Sequence, residues 1–230
     1  MIVGTGQLAK AFKDLEVDNS IIFASGVSNS KCTDANEFLR ERKLLSNIIS
    51  ANPDKYLIYF SSCALSCSSY SRNAYYEHKR KMEELIKGAV NSYFIFRLPQ
   101  VFGELRSHST LINHIYNSIY KGLEFTVYDQ AYRYVLDIGD VKKLVELFIK
   151  YSSTSLTVDL ANPYRYRVLD IVHIFERLLD KPAVYNLLAK EDQYCIDLST
   201  LEEYMELYKL DLGFGKEYLE SKLIEKLSIR

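Results

Sequence analysis

The segment Met1-Ile2-Val3-Gly4-Thr5-Gly6-Gln7-Leu8-Ala9 joins a short apolar run directly to a glycine-rich turn. The run is predicted to be a strand, and Leu8, Phe12 and Leu15 then follow helical spacing. In the pattern Gly-x-Gly-x-x-Ala, the first glycine permits a tight turn and the second lets the backbone approach a pyrophosphate. The alanine keeps the helix close to the strand. The segment therefore predicts an α/β fold that binds a dinucleotide, with a purely structural strand–helix turn as the alternative.

Further apolar runs alternate with amphipathic segments along the chain. Strands are predicted at 21–24, 56–60, 93–98 and 156–160, and helices at 34–50, 75–87, 108–121, 140–151, 168–179, 199–209 and 215–227. Near-continuous apolar strands separated by helices are typical of a parallel sheet covered by helices on both faces. We therefore predict a Rossmann-like core at about 1–105 and 134–162, and a small C-terminal substrate lobe at about 106–133 and 163–230.

Composition excludes several classes of protein. The chain has 230 residues, is 48% hydrophobic and carries a formal net charge of −1, so we expect one globular unit that binds neither nucleic acid nor an anionic membrane. No apolar run approaches the roughly 20 residues of a membrane span, and we see no secretory signal. The four cysteines form no metal pattern with the four histidines, which predicts reduced thiols, a cytoplasmic location and no metal site.

Two serine hydroxyls stand at the end of the strand predicted at 56–60, and a tyrosine–lysine pair follows in the next predicted helix. Ser61 and Ser62 end that strand, while Tyr75 and Lys79 share one face of the next helix. A free phenol has a pKa of about 10, so a neighbouring ammonium must lower it before the phenol can transfer protons near neutral pH. The set predicts acid–base chemistry on an alcohol or carbonyl group.

The tyrosine–lysine spacing also arises by chance in a chain with 19 tyrosines. Tyr218 and Lys222 repeat it, and the neighbouring register pairs Tyr76 with Arg80, whose guanidinium cannot exchange protons. Tyr75 is selected by its position, at the start of a helix that follows a strand ending in hydroxyls. The Ser- and Cys-rich stretch at 61–71 is interpreted as an active-site loop, with a solvated surface turn as the alternative.

These motifs, in this order, resemble the extended branch of the short-chain dehydrogenase/reductase superfamily, which contains NAD-dependent sugar epimerases, dehydratases and reductases. The resemblance covers most of the chain. It is carried by residues 4–9, 23–26, 59–62, 96–103, 133–141, 162–163 and 168–171. The segments that contain Arg97 and Arg133 are specific to the extended branch.

The resemblance implies a nucleotide-linked sugar as the substrate, NAD or NADP as the cofactor, and reduction of a 4-keto-6-deoxy sugar or epimerisation as the reaction. A role in making sugars for surface polysaccharides is implied as well. The implied catalytic residues are Ser62, Tyr75 and Lys79, and Gln100 and Arg133 join Ser62 in binding the substrate. The implied cofactor contacts are Gly4, Thr5, Gly6, Gln7, Leu8, Ala24, Ser25, Gly26, Ser61, Tyr75, Lys79, Leu98 and Pro99.

The chain departs from the family pattern in three places. Only about a dozen residues separate the first helix from the strand at Ile21, so the family's second and third strands, with the residue that reads the adenosine ribose, are predicted to be missing. The loop from Ser62 to Tyr75 is short, with Ser66 where a tyrosine is expected, and Gln100 replaces an asparagine. These departures keep open a second interpretation, a non-catalytic binding or scaffolding protein with the same fold. The trimmed sheet should leave an apolar edge strand, for which we expect cover by self-association or a partner.

Overall fold

The computed structural model describes residues 1–15, 17–67, 73–105, 110–153 and 155–227. Its strands are β1 (Ile2–Val3), β2 (Ser20–Phe23), β3 (Tyr56–Ser62), β4 (Tyr93–Leu98), β5 (Gln100–Phe102), β6 (Phe125–Arg133), β7 (Val135–Asp137), β8 (Leu156–Asp159), β9 (Tyr166–Arg167) and β10 (Tyr185–Asp192). Its α-helices are α1 (Gln7–Ala11), α2 (Ala35–Ala51), α3 (Ala74–Ala89), α4 (Leu111–Lys121), α5 (Ile138–Tyr151), α6 (Val168–Leu179), α7 (Ser199–Leu207) and α8 (Tyr218–Leu227). A short 3₁₀ helix, Cys63–Ser66, follows β3.

Five parallel strands form the main sheet, in the order β1-β2-β3-β4-β8. β2 lies directly beside β1, where Ile22 is opposite Ile2 and Phe23 is opposite Val3. The described residues between α1 and β2 form turns and no strand, so β1 is the edge of the sheet on that side. This arrangement confirms the predicted trimmed parallel sheet.

Helices cover both faces of this sheet. One face packs against α2 and α3, in a core formed by Ile21, Phe23, Leu45, Leu57, Tyr59, Met82, Ile86 and Ile95. The other face packs against α1, α5 and α7, in a core that includes Phe12, Ile58, Phe60, Phe96, Leu144, Phe148 and Leu201. Because alternate residues of β2, β3 and β4 enter opposite cores, the central residues of these strands are apolar on both faces of the sheet.

A second group of elements comes from the segments predicted as the lobe. β6 pairs in parallel with β10 and antiparallel with β9, and α4 and α6 bury Ile115, Tyr116 and Phe175 beside them. The strands predicted from the sequence do not include β6, β9 or β10, so this three-stranded sheet adds to the predicted architecture. In β6, buried Phe125 and Val127 alternate with exposed Thr126 and partly buried Tyr128, the pattern of a strand buried on one face.

Several boundaries differ from the predicted ones. α1 ends at Ala11, although the apolar spacing predicted a helix as far as Leu15. α4 begins at Leu111, where the Thr110 hydroxyl accepts a hydrogen bond from the amide of Asn113, and the residues predicted as its start at 108–109 lie outside the described residues. None of the helices in the described segments is long and apolar enough to cross a membrane.

Candidate active site

Most of the sequence-predicted site residues lie at the carboxyl ends of neighbouring parallel strands. The glycine turn follows β1, Ala24-Ser25-Gly26 follows β2, and Ser61-Ser62 ends β3. Leu98 ends β4 opposite Ser62, and Pro99 follows it. Since the strands are parallel, these ends meet along one edge of the sheet, which is where open α/β sheets bind ligands.

The glycine turn has one closed position and one open position. Gly4 has a φ of +132°, and a Cβ there would collide with the carbonyl group of Ala24, so only glycine fits. Gly6 has an ordinary extended backbone, and a Cβ there would meet nothing within 4 Å. Gln7 holds the turn in place by donating a hydrogen bond to the carbonyl of Glu104 at 3.3 Å. The turn is therefore open at Gly6, the position that the sequence predicts to face a pyrophosphate.

Tyr75 lies in the first turn of α3 because Asn73 caps that helix. The Asn73 side chain accepts a hydrogen bond from the Tyr76 amide at 3.0 Å. Tyr75 is buried, with its ring edge-on to that of Tyr76. Burial raises the pKa of the Tyr75 phenol well above its ordinary value, and Tyr76 and Glu41 act in the same direction. The phenol is therefore protonated at neutral pH.

Lys79 is buried beneath Tyr75, with its ammonium 5.9 Å from the centroid of the Tyr75 ring. The ammonium lies 3.0 Å from Oε1 of Glu41, 3.0 Å from the hydroxyl of Tyr59 and 3.5 Å from the carbonyl of Phe60. All three of its protons thus have acceptors inside the protein. Burial lowers the pKa of Lys79, and the carboxylate of Glu41 opposes that effect.

Glu41, on α2, is the residue that sequence reasoning missed. Its carboxylate is fully buried and accepts hydrogen bonds from the amide of Val27 at 2.7 Å and the hydroxyl of Tyr59 at 2.7 Å. Nε2 of His78 lies 2.9 Å from the same carboxylate. Burial alone raises the pKa of Glu41, but Lys79 and these hydrogen bonds outweigh burial and lower it to about 2. Glu41 is therefore ionised at neutral pH.

One signal in the sequence could have identified Glu41. It stands four residues before Leu45, so it lies on the same face of α2 as the residue that enters the core. A carboxylate on the apolar face of a helix needs a buried partner, and a lysine on a neighbouring helix is the natural one.

The loop after β3 is held by a second group of polar residues. Arg97 on β4 forms an ion pair with Glu83 on α3, at 2.6 Å, and donates a hydrogen bond to the hydroxyl of Ser66 at 2.9 Å. Ser66 in turn donates to Asp159 at the end of β8. Burial raises the pKa of Asp159 to about 6, against the opposing effects of Ser66 and Arg97. Ser66, at the position where a tyrosine was expected, therefore fastens this loop to the sheet.

The structure places the predicted hydroxyls in different environments. Ser62 is half-buried at the end of β3, whereas the hydroxyl of Ser61 is buried and has no hydrogen-bond partner among the described residues. The predicted active-site loop at 61–71 is described only as far as Cys67, and the rest of it lies outside the described residues.

The two residues predicted to bind the substrate beside Ser62 lie near the second group of elements. Gln100 begins β5, and its backbone amide donates a hydrogen bond to the backbone carbonyl of Tyr134 at 3.1 Å. Arg133 ends β6, and its guanidinium donates to the carboxylate of Asp192 at 2.5 Å and to the Asp192 carbonyl at 2.7 Å. The role of Arg133 towards a substrate diphosphate stays a prediction.

Known proteins resemble this chain in structure but not in sequence. No family model matches the sequence, and no curated protein matches it. Among solved structures, the UDP-glucose 4-epimerase of Thermus thermophilus matches with a TM-score of 0.67 and 11% identity over 96% of this chain and 81% of that one. The dTDP-glucose 4,6-dehydratase of Bacillus anthracis matches with a TM-score of 0.71 and 13% identity, over 96% and 76% of the two chains.

A third match, to the UDP-N-acetylglucosamine 4-epimerase of Methanobrevibacter ruminantium, has a TM-score of 0.68 and 14% identity over 97% of this chain and 79% of that one. The chain has the fold of the NAD-dependent sugar epimerases and dehydratases. This result confirms the fold that the resemblance implied. At these identities the likeness establishes the fold alone, and it covers about four fifths of each solved chain, as a trimmed sheet requires.

Proposed function

We propose that this chain is an NAD(P)-dependent oxidoreductase that acts on a nucleotide-linked sugar. The proposal is supported above all by one observation: the open glycine turn, Ser62 and the start of α3 with Tyr75 lie at the same edge of a parallel sheet. Structures with this fold include complexes of MoeE5 with UDP-glucose and NAD and of RMD from Pseudomonas aeruginosa with NADPH. We further propose a 4-keto-6-deoxy sugar as the substrate and surface-polysaccharide synthesis as the purpose. The four free thiols favour the cytoplasm.

The residues present fit a dinucleotide. Gly4 to Leu8 would hold the pyrophosphate, with Ala24, Ser25 and Gly26 beside it and Leu98 and Pro99 beside the nicotinamide. When bound, this cofactor supplies or accepts a hydride. In this reaction Ser62 donates a hydrogen bond to the reacting oxygen of the sugar. Tyr75 transfers a proton at the same oxygen.

The proposal is tested in two stages. NADH and NADPH are first titrated against the full chain by fluorescence, and we expect saturable binding of at least one of them. UDP- and dTDP-linked hexoses and their 4-keto-6-deoxy forms are then incubated with both cofactors. Absorbance of the reduced nicotinamide detects net redox turnover, and chromatography of the sugars detects epimerisation. Absence of dinucleotide binding would refute the proposal.

A second candidate function is a non-catalytic nucleotide-binding or scaffolding protein. One specific observation favours it. Lys79, predicted to contact the cofactor, and Arg133, predicted to bind the substrate, each already have a carboxylate partner within the chain. Glu41 holds the ammonium of Lys79, and Asp192 holds the guanidinium of Arg133. Dinucleotide binding without conversion of any sugar in the panel would support this second candidate.

A further inference from the structure

The Glu41–Lys79 ion pair lies directly beneath the loop that follows β2. The two side chains are 0% and 3% exposed, so water does not screen them. A Cβ on Gly26 would lie 2.7 Å from the Lys79 ammonium and 2.8 Å from the Glu41 carboxylate. Gly26 belongs to the predicted cofactor contacts, so the ion pair lies immediately behind the wall of the proposed cofactor cleft.

The hydrogen bonds of this ion pair are complete. Glu41 is held by the Val27 amide, the Tyr59 hydroxyl, His78 and Lys79, and each proton of Lys79 has an acceptor. A carboxylate 3.0 Å from the ammonium opposes the effect of its charge on Tyr75, whose ring centroid lies 5.9 Å from that ammonium. Lys79 therefore lies where an ammonium could stabilise the Tyr75 phenolate, and Glu41 opposes that stabilisation.

We propose that Glu41 is a positioning residue that offsets the charge of Lys79 and keeps Tyr75 in the phenol form, so that the site protonates a keto sugar and does not deprotonate an alcohol. This proposal rests on the proposed function and narrows its substrate class to carbonyl compounds. A reduced nicotinamide dinucleotide supplies the hydride to the carbonyl carbon. The electron pair of the C=O π bond moves to the oxygen, which takes the Tyr75 proton, and water returns a proton to the phenolate.

Several titratable groups face Tyr75 and Lys79 from the elements packed around them. They are Tyr76, His78 and Glu83 on α3, Glu41 on α2, Tyr59 on β3 and Cys63 in the 3₁₀ helix. Burial raises the pKa of Tyr75, and Tyr76, Glu41 and Cys63 raise it further. Lys79 is the ammonium of this set, and its effect on the phenol depends on whether Glu41 carries a charge.

The test is a titration of Tyr75 in the ligand-free full chain, which needs neither cofactor nor substrate. The protein is labelled with ¹³C at Cζ of tyrosine, and NMR spectra are recorded as the pH rises, with the Tyr75 signal assigned by its loss in Tyr75→Phe. In the parent we expect this signal to stay that of a phenol beyond the ordinary tyrosine pKa of about 10. In Glu41→Gln the carboxylate that raises the pKa of Tyr75 is gone, and we expect the titration midpoint to fall by about one unit or more, a tenfold change in the ionisation constant.

Two further variants serve as controls. Glu41→Gln combined with Lys79→Met removes both groups, so its midpoint should lie above that of Glu41→Gln by the part of the shift that the Lys79 ammonium supplies. Glu37→Gln removes an exposed carboxylate from the same helix, and it should leave Tyr75 unchanged.

A Tyr75 signal that titrates below its ordinary range in the parent overturns the proposal, whether or not any variant folds. An unchanged midpoint in a folded Glu41→Gln variant overturns it as well. Failure to turn over any nucleotide sugar, combined with the expected titration, would refute the proposed function and leave the action of Glu41 on Tyr75 supported. Turnover of sugars combined with a low parental midpoint would support the proposed function and refute the action of Glu41 on Tyr75.

Discussion

The carboxylate of Glu41 on α2 lies 3.0 Å from the ammonium of Lys79 on α3, in the core between these helices and the main sheet. The residues are 38 positions apart in the chain, and β3 lies between them in sequence. Their contact joins two helices, and it also sets the position and the charge of the lysine that faces Tyr75. The same ion pair therefore bears both on stability and on the proposed chemistry.

Lys79→Met should destabilise the chain by about 3–5 kcal/mol at pH 7, because it leaves the buried carboxylate of Glu41 without its cation. Since the native pKa of Glu41 is about 2, against an ordinary value of 4.5, its contribution is present above about pH 4.5 and is lost as the pH falls towards 2. The difference between parent and variant should therefore shrink in acid. Urea unfolding at several pH values measures it.

The control for this prediction is the double variant Glu41→Gln with Lys79→Met, which replaces the ion pair by neutral groups. It should be more stable than Lys79→Met alone. A double variant as unstable as the single one, or a difference that does not change with pH, would contradict the role of the ion pair.

Gly6→Val should abolish dinucleotide binding without unfolding the chain. A Cβ at Gly6 meets nothing within 4 Å and its backbone is ordinary, so the valine fits the protein and occupies the space in front of the turn. Fluorescence titration with NADH and NADPH measures the loss, and circular dichroism checks the fold. Gly88→Val, at an exposed site on α3 that is equally open, is the matched control. Equal affinity in Gly6→Val and the parent would exclude the turn as the pyrophosphate site.

Tyr75→Phe and Tyr218→Phe should have opposite effects. Removing the Tyr75 hydroxyl should lower turnover by roughly 10²–10⁴ with little change in stability, as expected for loss of a general acid. The Tyr218 hydroxyl donates to Asp140 at 2.8 Å and accepts from the amide of Asp137 at 2.9 Å, so Tyr218→Phe should cost roughly 1–3 kcal/mol and leave turnover of the folded enzyme near parental. Steady-state kinetics measure turnover, and thermal unfolding measures stability. Parental turnover in Tyr75→Phe would show that Tyr75 is not the general acid.

Asp159→Asn should stabilise the chain at pH 8 and have little effect at pH 4. The native pKa of Asp159 is about 6, above the ordinary 3.8, so the folded state binds more protons and the parent loses stability as the pH rises through this range. The neutral asparagine avoids this loss, worth roughly 1–3 kcal/mol at pH 8. Unfolding by urea at both pH values is the measurement. Equal stability of parent and variant at pH 8 would argue against a destabilising carboxylate there.

Asp192→Asn should tighten the binding of UDP several-fold if Arg133 binds the substrate diphosphate. The carboxylate of Asp192 competes for the guanidinium, and its removal makes Arg133 available to an anion. Isothermal titration with UDP measures the affinity. Arg133→Gln should weaken binding in the same assay, and UDP binding that neither variant changes would remove Arg133 from the substrate site.

The main sheet was predictable because its central strands are buried on both faces, which leaves uninterrupted apolar runs such as residues 56–60 and 93–96 in the sequence. The three-stranded sheet was not predictable in the same way. β10 is exposed along most of its length, so neither an apolar run nor strict alternation marks it. Its strand conformation comes from pairing with β6, which is distant in the sequence.

The sequence by itself determined the glycine turn, the parallel strands and the helical spacing that places Tyr75 and Lys79 on one face, because each depends on residues a few positions apart. Only the tertiary structure decided which charges these groups meet. Glu41 approaches Lys79 across 38 residues and Asp192 approaches Arg133 across 59, and the strength of an ion pair depends on distance in space and on burial. A spacing in the sequence specifies neither, which is why the position and charge of the predicted catalytic lysine were set by a helix packed beside it.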